Sequence, residues 1–174
     1  MTLSVRPATV ADAAGIATVH IGSWQAAYEG LLPAEFLGGL SVPARERFWT
    51  ETLSAPEACH TVLVATAEGA VAGFAVACPS RDQDATAEVG ELASIYLLPD
   101  HWGQGAGRAL HEDAVTALAR SFTTATLWVL STNRRARRFY ERAGWSPDDR
   151  TRVETTNDGT VTLEEVRYRL PLGG

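Results

Sequence analysis

The stretch Leu97-Leu98-Pro99-Asp100-His101-Trp102-Gly103-Gln104-Gly105-Ala106-Gly107-Arg108-Ala109-Leu110 decides how the rest of the chain is read. It follows the apolar run 88–98, which has the composition of a central strand ended by Pro99. It leads into residues 108–120, which have helical composition. Three glycines alternate between the two. Glycine tolerates positive φ and puts no Cβ in the way of a ligand. Successive amides at a helix N-terminus point at one spot, so residues 103–108 read as an anion-binding loop. Spacing separates the phosphate binders that share this physics. A Walker loop needs Lys and then Ser or Thr after its last glycine, and Arg108-Ala109 stands there instead. A dinucleotide fingerprint needs a third glycine at 108 and an acid about 20 residues on; Arg108 and Phe122-Thr123 occupy those places. The plain alternative is a glycine-rich turn without a ligand.

Upstream, residues 3–6 alternate as a strand, and Thr9 with Asp12 opens a helix to about Tyr28, punctuated by Gly30 and Pro33. A second helix is predicted over 43–53. Strands follow over 61–67 and 71–77, joined by the Glu68-Gly69 turn, with a polar loop over 81–87. Downstream come a strand over 125–130 and a helix over 133–143 stopped by Gly144. Two last strands, 145–153 and 161–170, flank the hairpin turn Asn157-Asp158-Gly159. The order β-α-α-β-β-β-α-β-α-β-β describes one mixed α/β domain over residues 1–174.

Bulk properties narrow the function. With 174 residues, 45% hydrophobic and 21% charged, the chain can bury a sizeable core. A net charge of -6 argues against nucleic acid, which requires a basic surface, and is weakly compatible with a cationic substrate such as an amine. Two cysteines, Cys59 and Cys78, read as buried thiols in a reducing cytoplasm rather than a disulfide. The four histidines never fall at zinc-ligand spacing, so no metal is expected. The polar N-terminus offers no signal peptide, and no apolar run reaches the length of a membrane span. A cytoplasmic protein is expected.

A second motif lies in Ser131-Thr132-Asn133-Arg134-Arg135-Ala136-Arg137-Arg138-Phe139-Tyr140-Glu141-Arg142-Ala143-Gly144-Trp145. Asn133, Ala136 and Tyr140, at i, i+3 and i+7, share one stripe of a helix. Alone, Tyr140 reads as a half-buried core aromatic, and the four arginines as a solvated face with at most one reaching a phosphate. Together, the glycine loop and this helix resemble the GNAT superfamily of N-acetyltransferases. The motifs cover about residues 88–145, and the element order covers the chain. The resemblance implies a central, mostly antiparallel mixed sheet with helices on both faces and a V-shaped splay at the cofactor site. It implies acetyl-CoA as cosubstrate. The pyrophosphate would lie on the amides of Gly103, Gln104, Gly105, Ala106, Gly107 and Arg108. The pantetheine arm and acetyl carbonyl would lie on Ile95, Tyr96 and Leu97, with Asn133 and Ala136 beside the arm. Tyr140 matches the usual general acid. Two positions depart from the family. Trp102 replaces the usual Arg or Gln, which removes a polar contact. Trp128 occupies the place where some ribosomal-protein acetyltransferases carry a glutamate base.

The chemistry asks for a base. An amine of pKa about 10 loses its proton at neutral pH at a cost of about 4 kcal/mol. Glu91, four residues before Ile95, matches the base glutamate of the histone-acetyltransferase branch and could act through one or two waters. The plain reading is a salt-bridged or solvent-facing strand residue. A tyrosine near pKa 10 transfers its proton to a thiolate near 8.5 uphill by roughly 2 kcal/mol, so Tyr140 is expected to hydrogen-bond the sulfur as charge develops. The strand amide near Ile95 would polarise the thioester carbonyl.

The acceptor side falls to the N-terminal third. The segment Ser23-Trp24-Gln25-Ala26-Ala27-Tyr28-Glu29-Gly30-Leu31-Leu32-Pro33 resembles one that recurs among uncharacterised bacterial members, and makes Trp24 and Tyr28 candidate substrate-binding residues. Phe48 and Trp49 read at least as well as core aromatics. The implied partner is an amine, small or on a peptide or protein, with a homodimer left open. Three alternatives stand beside transfer of acetyl to a primary amine: a non-catalytic acyl-CoA sensor, a transferase for a longer acyl-CoA, and a mononucleotide-binding module.

Overall fold

The computed structural model describes residues 3–55, 60–156, 159 and 161–173. Seven strands form one sheet: β1 (Leu3–Pro7), β2 (Thr61–Ala67), β3 (Ala70–Pro79), β4 (Val89–Leu97), β5 (Thr124–Leu130), β6 (Ser146–Thr155) and β7 (Thr162–Pro171). Their order is β1-β2-β3-β4-β5-β7-β6, and every neighbour is antiparallel except the parallel pair β4 and β5. Among the described residues the α-helices are α1 (Ala13–Ala27), α2 (Ala34–Gly38), α3 (Val42–Ser54), α4 (Ala106–Ala119) and α5 (Arg134–Arg142).

Strand alternation sends successive side chains to opposite faces. Leu63, Ala65, Ala75, Ala77, Leu92, Leu127 and Val129 meet Leu110, Ala114 and Leu118 of α4 and Tyr140 of α5 on one face. Val64 and Phe74 meet Ile16, Ala17 and Val19 of α1 and Trp49 of α3 on the other. Trp49 is therefore a core residue, whereas Phe48 is exposed beneath Arg45, contrary to its core reading. Cys78 is buried in β3; Cys59 and most of the Asn157-Asp158-Gly159 turn lie outside the described residues.

Sequence patterning locates every strand within about two residues, but three features depart from it. The short helix α2 follows Pro33, in a segment read only as punctuation. Helix α4 starts at Ala106 rather than 108, because Gly105 at φ 86° serves as its N-cap. On β4 the register with β3 jumps from Val76↔Ser94 to Ala77↔Leu92, so Ala93 is an extra residue in the strand. Such a bulge bends its strand and increases its twist. Strands β4 and β5 pair only at Val89↔Thr124, Gly90↔Ala125 and Glu91↔Thr126. Past Glu91 they part, and that divergence is the V-shaped splay.

Candidate active site

The splay opens a cavity of about 520 Å³ through the sheet, a size typical of small-ligand pockets. Its walls bring together Glu91, Ile95, Tyr96, Leu97, Gly103, Gly105, Gly107, Arg108, Asn133, Ala136, Tyr140, Trp24 and Tyr28, all singled out from the sequence. Gln104 and Ala106 are not in the wall. Gln104 Nε2 turns back to donate to the Asp100 carbonyl at 2.6 Å, and Ala106 is buried in the core.

The cavity has two ends because its lining residues alternate across the sheet. Leu92, Leu127 and Val129 point to the α4–α5 face, so Glu91 and Trp128 point to the α1 face. The α4–α5 end holds the glycine loop, Asn133 and Tyr140. The α1 end holds Trp24, Tyr28, Tyr96, Trp128, Leu163 and Glu165.

Backbone groups supply most of the polarity at the first end. The Leu98 amide donates to Ala72 O of β3 at 2.9 Å, whereas the Leu97 carbonyl accepts from Trp102 Nε1 at 2.8 Å. By alternation, the polar groups of Leu97 and Ile95 face the open side. The first turn of α4 has no side-chain cap, so its amides stay available to an anion. Gly103 (φ 74°) and Gly105 (φ 86°) need the glycine backbone, and a Cβ on either would meet open space. Gly107 differs from the sequence reading. It lies inside α4 without positive φ, and a Cβ there would only touch Leu97 Cδ2 at 3.8 Å. An uncapped helix start with open space in front of it fits a diphosphate. Asn133 caps α5 by accepting the Ala136 amide at 3.1 Å, which leaves its own NH₂ group as a donor.

The arginines of α5 are not uniformly solvated. Arg135 stacks on the Trp102 ring, 3.5 Å from its centroid, and Arg137 donates to Tyr168 Oη at 3.0 Å and to Ser131 O at 3.0 Å. Trp102 thus does not leave a gap: its indole ties the loop to β4 and carries Arg135. Among the described residues Arg135 has no carboxylate within ion-pair distance. The other cavity-lining arginines do: Arg81 with Glu91, Arg108 with Glu112 and Arg152 with Glu165, each at 2.7 Å.

Glu91 is 3% exposed and held by three bonds from Arg81: Nη2 to Oε1 at 2.7 Å, Nε to Oε2 at 3.2 Å, and the backbone amide to Oε2 at 3.2 Å. The ion-paired reading of Glu91 therefore holds, within the cavity wall. Tyr140, 9% exposed, is enclosed by the rings of Phe139, Trp145 and Tyr168. Burial, and secondarily Tyr96, push its phenol above the ordinary tyrosine range. Burial first, then Tyr96, Tyr140 and Glu165, push Tyr28 up as well. Trp128 Nε1 donates to Asp82 Oδ1 at 2.8 Å, and Arg152 lies over its ring at 4.4 Å. Arg81, Arg152, Leu163 and Glu165 escaped the sequence reading. They come from a polar loop and the terminal hairpin, and no local pattern ties those segments to the glycine loop.

A splayed sheet with an uncapped helix start on one side and an aromatic chamber on the other defines an acyl-CoA-type transferase architecture. Over residues 24–145 the chain matches the acetyltransferase (GNAT) family, and it belongs to that family. It is 35% identical over 133 residues to the uncharacterized N-acetyltransferase YuaI of Bacillus subtilis, covering 75% of this chain and 73% of that protein. Solved structures share the fold at low identity. YncA of Salmonella typhimurium, a putative acetyltransferase with its cofactor acetyl-CoA, superposes with a TM-score of 0.72 at 20% identity, over 100% of this chain and 96% of that one. The PaiA N-acetyltransferase of Thermoplasma acidophilum, in complex with coenzyme A, gives 0.71 at 19%, over 98% and 99%. The ribosomal-protein-S18-alanine N-acetyltransferase of Escherichia coli gives 0.68 at 22%, over 99% and 96%. Among the described residues no helix is long and apolar enough to cross a membrane.

Proposed function

We propose that the chain transfers an acetyl group from acetyl-CoA to a primary amine by direct attack in a ternary complex. One observation supports this above the others: the edge of β4 left unpaired past Glu91 opens on one cavity that holds the glycine loop, the start of α4 and Tyr140 at one end and an aromatic wall at the other. Acetyl-CoA supplies an acyl group activated as a thioester. The chain's own residues do the rest. The α4 amides and the loop over 103–108 hold the diphosphate. Ile95, Tyr96 and Leu97 line the acyl arm, with Asn133 and Ala136 opposite. The Ile95 amide donates to the carbonyl oxygen as negative charge builds there. Trp24 and Tyr28 wall the acceptor, and Glu91 receives the proton that the ammonium must lose before attack. Tyr140 donates a hydrogen bond to the departing sulfur. Its raised pKa makes full proton transfer more uphill than for an ordinary tyrosine, which favours donation without transfer. In sum, an ammonium and a thioester become an amide, a thiol and one released proton.

A mass-spectrometric screen of amines with acetyl-CoA tests the reading. Formation of an N-acetyl product with free thiol supports it. The engagement of Glu91 by Arg81 favours a second reading, a non-catalytic acyl-CoA binder. Calorimetric binding of acetyl-CoA without turnover of any amine would establish that one instead.

A further inference from the structure

We propose that the acceptor is a small zwitterion, an α-amino acid with an apolar side chain, and that Arg81 and Glu91 together read its two charges. This rests on the transferase reading and concerns the same cavity. Four charged side chains line the α1 end: Arg81, Glu91, Arg152 and Glu165. They form two ion pairs of opposite charge, each at 2.7 Å. A polyamine would need several uncompensated carboxylates there, and a polyanion several uncompensated guanidiniums. A ligand carrying one charge of each sign leaves the chamber neutral.

The two members of the deeper pair differ sharply in exposure. The Glu91 side chain is 4% exposed and that of Arg81 is 68% exposed. A buried carboxylate cannot give up its cation without a replacement. An entering ammonium is such a replacement, one cation exchanged for another on the same oxygens. The Arg81 backbone amide stays bound to Oε2 while its side chain, already facing solvent, swings aside. The freed guanidinium fork then stands beside the carbon that bears the amine. A carboxylate on that carbon accepts the fork in two hydrogen bonds. A plain amine makes only the first exchange. So does an amino-acid amide, the mimic of a peptide N-terminus. Trp24, Tyr28, Trp128 and Leu163 also line this end and suit an apolar side chain. In this arrangement Glu91 meets the ammonium only after Arg81 has left, so the carboxylate that binds Arg81 also frees the base.

The test compares matched triads on the purified full chain with acetyl-CoA: leucine, leucinamide and isoamylamine; phenylalanine, phenylalaninamide and phenethylamine. Rates are expressed per unprotonated amine, since the three amines differ in pKa. The acids should exceed amide and amine in kcat/KM by about tenfold or more, the worth of one charge-assisted contact. In Arg81→Gln that ratio should collapse toward one, mainly through a raised KM for the acids, and Arg81→Lys should restore part of it. Amides or plain amines equal to the acids in the wild-type chain would overturn the proposal, even if Arg81→Gln failed to fold. An acid preference unchanged in a folded Arg81→Gln would also overturn it. Failure of every amine despite acetyl-CoA binding would instead overturn the transferase reading on which it stands.

Discussion

The ring of Tyr140 makes edge and tilted contacts with Phe139, Trp145 and Tyr168, so its position owes more to the aromatic carbons than to the oxygen. Replacing it by Phe keeps that packing. Turnover in Tyr140→Phe should fall roughly tenfold to a thousandfold, as for loss of one hydrogen bond to a developing charge, with KM for acetyl-CoA near wild type. Steady-state kinetics check this; lost affinity with retained turnover would make Tyr140 a packing residue only. The glycine loop offers a second residue-scale test. Gly105 carries positive φ, so a side chain there strains the backbone whatever it does to a ligand. Gly107 carries no such constraint and has room for a Cβ. Gly107→Val should therefore fold with little loss beyond the lower helix propensity of a β-branched residue, yet weaken acetyl-CoA binding by filling the space in front of the amides. Calorimetry showing wild-type affinity in the folded variant would remove the diphosphate from this position.

At the scale of elements, two networks tie α5 and the loop after β3 to the terminal hairpin. Helix α5, which carries Asn133 and Tyr140, is pinned to β7: Tyr168 Oη donates to Glu141 Oε1 at 2.8 Å while accepting from Arg137 Nε at 3.0 Å. The loop after β3, which carries Arg81, is pinned to the terminal hairpin through Arg167. That guanidinium is buried and meets Asp82 at 3.0 Å, Asp84 at 2.7 Å and Asp148 at 2.8 Å. Arg167 is the first cause holding Asp84 down to about 2. Removing the cation takes the ion-pair partner from Asp82 and leaves Asp84 to Arg150 at 3.5 Å and Asp148 to Arg169 at 2.8 Å. Arg167→Met should cost about 3–5 kcal/mol of stability, the range for breaking a buried ion pair by one partner. Urea denaturation measures it. A loss under about 1 kcal/mol would mean that water replaces the guanidinium and that the loop is held by other contacts.

Over the whole molecule, stability should fall with acid earlier than carboxylate titration alone would bring. His20 packs between Trp49, Phe74 and Tyr96 and accepts from Trp49 Nε1 at 3.4 Å. Burial, then the charge of Arg45, lowers its pKa to about 3. His111, buried and accepting from Trp145 Nε1 at 2.8 Å, is lowered by burial. Both are neutral in folded and unfolded chains above the unfolded value near 6.5, so their contribution is complete there. Below it the unfolded chain takes up protons that the folded one refuses, and stability is lost as pH falls from about 6.5 toward 3. Melting temperature should drop between pH 7 and 4.5. In His20→Gln, which keeps an acceptor for Trp49, that slope should become shallower, since one of the two groups is gone. A slope identical to wild type would place the acid sensitivity elsewhere.

The sequence by itself determined the strands, most helices, the glycine loop and the Asn133–Tyr140 stripe, because each is a local pattern: periodicity of two or 3.6, caps, and glycines at fixed spacing. It also carried the departures at Trp102 and Trp128 as bare identities. What those residues do was decided only in three dimensions. Trp102 reaches Leu97 O and lies under Arg135 because loop, strand and α5 converge, and no spacing along the chain encodes that convergence. The bulge at Ala93 left no mark in the run 88–98, read as one continuous strand, yet it bends β4 where the sheet splits. Arg81 was an ordinary loop residue and Glu91 a candidate base; tertiary structure made them one ion pair, with the carboxylate buried and the guanidinium exposed. The chamber draws Trp24 from α1, Glu91 from β4, Trp128 from β5 and Glu165 from β7. Contacts between residues far apart in the chain depend on packing and chain closure rather than on local preference, which is why the glycine-loop end of the cavity was legible in the sequence and the opposite end only at Trp24, Tyr28, Glu91 and Trp128.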